Sequence, residues 1–139
     1  MINFNFEFPA ELRDEGAIKS WLQASVQEEG FKINNLEVIF CSDDFLYGIN
    51  RDYLGHDDYT DVVGFDYSVG KSLQGEIYIS VERVKDNAEK YDVDFHAELF
   101  RVLIHGALHF CGWNDDTAEK KGAMRKQEDF YLSRLEGFN

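Results

Sequence analysis

Apolar and polar residues alternate through INFNFEF (residues 2–8), the period-two pattern of a strand with one buried face. Pro9 then suits the first turn of a helix. Across residues 10–29, Ile18, Trp21, Leu22 and Val26 recur at helical spacing, and Gly30 stops the run. NNLEVIFCS (34–42) reads as a second strand, after which Asp43 or Asp44 suits the cap of a short helix through Tyr53. A polar loop, GHDDYT (55–60), leads into DVVGFDYS (61–68) and GEIYIS (75–80), which read as a strand pair. The rest of the chain is patterned as helix over 81–92, 95–110 and 117–136. The fold class expected is α+β, a small mixed sheet of about four strands packed with about five helices.

Length and composition bound this picture without changing it. The chain has 139 residues, 44% hydrophobic and 15% aromatic, inside the prior of roughly 100–200 residues for one domain. No repeat, low-complexity tract or linker divides it, so residues 1–139 are expected to form a single domain. No apolar run reaches the ~18 residues of a membrane span. MINFNFEFPAELRDEG lacks the basic start and apolar core of a signal peptide. Cys41 and Cys111 make no disulfide framework. The expectation is a cytoplasmic protein with no membrane association. Net charge is −13, from 14 basic and 27 acidic residues, which weighs against wrapping nucleic acid by bulk electrostatics. Only a local patch is available for that purpose: Lys120, Lys121, Arg125 and Lys126 cluster on the last helix, where a solvated helix face is the plainer reading.

The candidate chemistry lies in HGALHFCGWNDD, residues 105–116. His105 and His109 are four apart on the 95–110 helix, so they share a face with Cβ atoms ~5–6 Å apart, as two imidazoles binding one ion require. Both fall in an apolar stretch, where an unpartnered pair would be costly to bury. Gly112 can turn the chain back at positive φ, bringing Asp115 toward the histidines. The proposed ligand set is His105, His109 and Asp115, with open positions for water, which marks a catalytic rather than a structural site. Asp116 competes as a ligand, but Asp116-Thr-Ala-Glu119 also fits a capping box for the last helix and is assigned there. Cys111 reads as a small packed residue. The helical zinc peptidases place a glutamate after the first histidine; here that position is Gly106, which leaves metal-assisted hydrolysis without the peptidase base. Zinc fits two histidines and an aspartate best, with manganese, nickel and iron as alternatives. Arg101 lies one turn before His105, where its guanidinium would meet an anionic substrate, or would pair with Glu98.

These residues resemble the YbeY family of single-strand-specific endoribonucleases and ribosome-maturation factors. His105, Gly106, Leu108, His109 and Gly112 match its metal signature, Phe110 and Trp113 are similar replacements, and the family's third metal histidine falls on Asp115. INRDYLGHDDYTDVVGF (49–65) resembles a second family motif through Asn50, Tyr53, Asp57, Thr60, Asp61, Val62 and Phe65. There the family's substrate-engaging arginine falls on Leu54, with Arg51 or His56 nearby as substitutes. GEIYIS, Glu98, Met124 and Glu128 also keep the family's spacing. The resemblance spans roughly residues 35–132. It implies one zinc ion per chain, single-stranded RNA as substrate, a role in maturing the 3′ end of small-subunit (16S) rRNA and in ribosome quality control, and association with components of the small ribosomal subunit. Two rivals stand beside it: a non-catalytic assembly factor with a structural metal, favoured by Leu54, and a metallopeptidase-like hydrolase, disfavoured by Gly106. The acidic charge could also serve docking on a basic ribosomal protein.

Overall fold

The computed structural model describes residues 1–135. Its elements run β1 (Ile2–Phe6), α1 (Glu15–Glu28), β2 (Lys32–Cys41), α2 (Asp43–Leu54), β3 (Val62–Asp66), β4 (Ser72–Ser80), α3 (Val81–Lys90), α4 (Phe95–Phe110) and α5 (Ala118–Ser133). The strands form one sheet in the order β1-β2-β4-β3. The first three lie parallel, and β3 pairs antiparallel with β4. The α+β class, the mixed four-stranded sheet and the five helices are as expected from the sequence.

Alternation along the strands separates two apolar layers. On one side Leu36, Val38 and Phe40 of β2 and Leu73, Ile77 and Ile79 of β4 are buried against α1, α3, α4 and α5. On the other, Cys41, Val63 and Tyr78 meet Leu46 and Ile49 of α2. Trp21 of α1, fully buried, donates its indole N–H to the Tyr131 carbonyl of α5 at 2.8 Å. α4 is pressed close to the sheet. Its Phe110 ring occupies the space that a Cβ at Gly64 or Gly75 would need, and a Cβ at Gly75 would also lie 2.3 Å from the Phe65 carbonyl.

Several boundaries differ from the sequence reading, each for a local reason. Pro9 does not begin a helix: α1 starts at Glu15, after Asp14 in a left-handed conformation. β4 begins at Ser72, because Leu73 pairs with Ile33 across the sheet. Ser42, not Asp43 or Asp44, caps α2, its hydroxyl accepting from the Phe45 N–H. Thr117, not Asp116, caps α5 by accepting from the Lys120 N–H at 3.1 Å. Asp116 instead forms an exposed ion pair with Lys120. α5 ends at Ser133; residue 136, the expected end, lies outside the described residues.

Candidate metal centre

α4 carries both histidines on the face it turns toward α5 and the end of the β3–β4 pair. Asp94 caps the helix at its start. At its end, Gly112 at φ 95° closes a Schellman turn, its N–H bonded to the His109 carbonyl and that of Trp113 to the Leu108 carbonyl. The chain therefore doubles back, and Asp115 arrives beside the ring nitrogens. His105 Nε2 lies 3.1 Å from His109 Nε2. Asp115 Oδ2 lies 3.4 Å from the first and 3.5 Å from the second.

That triangle tests the ligand set. Metal–ligand bonds of ~2.0–2.1 Å at tetrahedral angles separate ligand atoms by ~3.3–3.4 Å, so three nitrogen and oxygen atoms spaced as here outline one face of a zinc tetrahedron. His105, His109 and Asp115 are also the one group of His, Cys, Asp or Glu among the described residues whose donor atoms converge this way. The electrostatics agree. Glu128 Oε2 lies 2.6 Å from His105 Nδ1, which assigns the ring proton to Nδ1 and turns the Nε2 lone pair toward His109 and Asp115. Two ring nitrogens and a carboxylate oxygen converging on one point call for a cation or a proton between them. Accordingly the His105 ring holds its proton above the ordinary imidazole range. Burial opposes this, but the hydrogen bond and charge of Glu128, with Asp115 and Asp61, outweigh it.

Glu128 is the candidate site residue whose contact with His105 is not legible from position in the sequence. It sits on the buried stripe of α5 with Met124 and Tyr131, and a carboxylate on such a stripe is itself a signal, because burial demands partners. Its second oxygen accepts from Arg101 Nη1 at 2.9 Å, and Arg101 Nη2 reaches Asp129 at 2.6 Å. Arg101 thus pairs with α5 rather than with Glu98, and its guanidinium is engaged by two carboxylates.

The centre lies between two cavities. One, of about 500 Å³, is lined by Asn87, Glu98, Arg101, Lys121 and Arg125. The other, of about 630 Å³, is lined by Asn50, Leu54, His56, Asp58 and Thr60. Asp61, His105 and Asp115 border both. His56 and Leu54 therefore line the same cavity as His105, His109 and Asp115. Arg51 lines neither cavity: it pairs with Asp52 and lies over the Tyr47 ring. Burial raises the Asp61 carboxyl above the usual range, chiefly opposed by His105. Burial also raises Glu98, helped by Asp61 and opposed by Arg101 and Arg125. Cys111 packs against the core, and burial, then the charge of Glu29, push its thiol up to about 12. It is no candidate thiolate ligand. Gly106 holds the position of the peptidase glutamate, and a Cβ there would press on β4, 3.2 Å from Ile77 Cδ1.

Known proteins resemble this chain along most of its length. The family model described as endoribonuclease YbeY matches residues 5–136. The endoribonuclease YbeY of Flavobacterium johnsoniae is 46% identical over 129 residues, covering 93% of each chain. That of Amoebophilus asiaticus is 48% identical over 116 residues, covering 83% of this chain and 79% of the relative. The solution structure of TM1509 from Thermotoga maritima superposes with a TM-score of 0.68 at 27% identity, over 99% of this chain and 90% of that one.

Proposed function

This chain belongs to the endoribonuclease YbeY family, and from that premise we propose that it is a metal-dependent, single-strand-specific endoribonuclease that matures the 3′ end of small-subunit (16S) rRNA in the cytoplasm, with residues 1–139 as one hydrolase domain. The observation that carries the metal dependence is the triangle of His105 Nε2, His109 Nε2 and Asp115 Oδ2, with separations of 3.1, 3.4 and 3.5 Å.

His105, His109 and Asp115 would hold one divalent ion, with zinc the best fit to their donor set. Such an ion supplies Lewis acidity toward a phosphodiester and lowers the pKa of a water. The chain's own residues do the rest. Glu128 fixes the tautomer and plane of His105 through Nδ1. Arg101 locks Glu128 in place, so its role is positioning. Asp61 borders both cavities and keeps its proton to higher pH than an ordinary aspartate, which suits it to give or take a proton there. Lys121 and Arg125 of the basic cluster line the same cavity as His105 and supply local positive charge for an RNA strand in an otherwise acidic protein. His56 occupies the opposite cavity, near the position where Leu54 leaves the family's arginine missing. RNA affinity is accordingly expected to be weak and to fall steeply with salt; binding indifferent to salt up to physiological strength would remove the electrostatic part of the account.

The acidity has a second use. Asp44, Asp52 and Glu76 line an aromatic groove of about 570 Å³ between α2 and β4, a surface suited to a basic protein of the small ribosomal subunit. A non-catalytic assembly factor with a structural metal is the second reading, supported by Leu54. Cleavage of labelled single-stranded RNA by the purified protein separates the two. The endoribonuclease reading expects cutting that is abolished by chelator and by His109→Ala. Intact RNA, or cutting that His109→Ala retains, supports the assembly factor instead.

A further inference from the structure

Asp115 reaches the centre on a turn with little backbone support. After Gly112 and Trp113 bond back to α4, residues Asn114 to Asp116 make no backbone–backbone hydrogen bond among the described residues. The last fixed point before Asp115 is the Trp113 side chain. Its indole N–H donates to Glu29 Oε1 at 2.7 Å. Glu29 is the C-cap of α1, and its other oxygen accepts from Gln127 Nε2 at 2.7 Å and from the Tyr131 hydroxyl. One half-buried carboxylate therefore binds three neutral donors, from the Asp115 turn and from α5. Among the described residues it has no ion pair with Lys or Arg. Only a carboxylate can do this: bonds to a charged acceptor are about twice as strong as neutral ones, and a glutamine would present one N–H₂ that donates where an acceptor is needed.

We propose that Glu29 is a positioning residue of the metal centre, acting through Trp113 to fix the turn that presents Asp115. This rests on the reading of Asp115 as a ligand. Contacts made directly to a ligand change metal affinity by ~10–100-fold, and Glu29, acting through the backbone of the turn, is expected at the low end of that range.

A double-mutant cycle tests it, with Zn²⁺ affinity measured by competition against a chromophoric chelator. Glu29→Leu removes the acceptor. Trp113→Phe cuts only the link to the turn and leaves the Gln127 and Tyr131 bonds in place, so the cycle survives if Glu29→Leu fails to fold. Each is expected to weaken Zn²⁺ binding about tenfold, with Glu29→Gln falling between them and the native protein. In an Asp115→Ala background the same changes should matter less than about twofold, because a residue that acts through Asp115 has nothing left to position. Equal losses in both backgrounds, or no loss in either, would overturn the proposal, since general loosening of the fold would also weaken a site held by His105 and His109 alone. If Asp115→Ala by itself leaves Zn²⁺ affinity unchanged, the ligand assignment falls and the role of Glu29 with it. That result is distinct, because in the former cases the single Asp115 variant does lose affinity.

Discussion

Replacing Glu128 with glutamine changes one oxygen to an amide nitrogen at the buried junction of α4 and α5. The native carboxylate, with 6% of its side chain exposed, accepts from His105 Nδ1 at 2.6 Å and from Arg101 Nη1 at 2.9 Å. A glutamine has one acceptor for two donors. If its oxygen faces His105, its N–H₂ faces a guanidinium. If its oxygen faces Arg101, its N–H₂ turns His105 Nδ1 into an acceptor and moves the ring proton to Nε2, where a metal must bind. The first arrangement sets an N–H₂ against a guanidinium and leaves only the bond to His105. The second keeps a charge-assisted bond from Arg101 but replaces the carboxylate's bond to His105 with a neutral one. Each therefore weakens both contacts, by about 1 kcal/mol per contact and about 2 kcal/mol for the metal-free fold. The second arrangement also removes the lone pair the ion needs. Zn²⁺ affinity should therefore fall ~10–100-fold, or about 1.4–2.7 kcal/mol. Competition titration against a chelator reads the affinity, and thermal unfolding in chelator reads the fold. Glu128→Gln binding Zn²⁺ within about twofold of the native protein would refute the claim that Glu128 sets the state of His105.

Three further outcomes follow from the same geometry. Asp115→Ala should lower metal content well below one ion per chain by elemental analysis, and Asp115→His should restore it; full retention in the alanine variant would take Asp115 out of the ligand set. Gly106→Glu should lower the melting temperature modestly, because the overpacking of a Cβ 3.2 Å from Ile77 Cδ1, ~1–3 kcal/mol, exceeds the ~1 kcal/mol that replacing a helical glycine returns. It should create no peptide cleavage; an unchanged melt would show that α4 and β4 separate more easily than their packing implies. The pH dependence follows from His105, whose folded value lies above 6.5. Its protonated form stabilises the metal-free protein below that unfolded value, and this contribution is lost as pH rises through the folded one. A metal must displace the same proton, so Zn²⁺ affinity should still be climbing above pH 6.5. A plateau already reached at pH 6.5 in the titration would contradict this.

What the sequence revealed and what it hid divide along physical lines. The helix from Phe95 to Phe110 was legible to the residue, because its apolar stripe and the Gly112 stop are local. His105 and His109 followed from the helical repeat, and Asp115 from the turn that Gly112 permits. Glu128 is 23 positions from His105, and nothing local in α5 says which helix its buried face will meet. Glu29 is farther still from Trp113, and only the packing of α1 beside α5 joins them. The strand order was equally hidden: β4 inserts between β2 and β3, and its pairing with β2 joins segments about 40 residues apart. Caps misled where two candidates stood side by side. Ser42 and Thr117 took the positions expected of Asp43 or Asp44 and Asp116, since caps at adjacent residues differ by a single step of backbone geometry. Arg101 was placed one turn before His105 on α4, but its partners Glu128 and Asp129 come from α5, which the pattern of α4 alone does not show.

The most direct measurement is to strip the protein of metal and reload it with Zn²⁺ in steps from zero to one equivalent. At each step, occupancy and the rate of single-stranded RNA cleavage are followed on the same sample. Cleavage rising in proportion to occupancy up to one equivalent, and absent throughout in His109→Ala, is the result expected of an RNA-cutting metal centre on His105, His109 and Asp115. Cleavage by the stripped protein, or full occupancy with the RNA left intact, would contradict it.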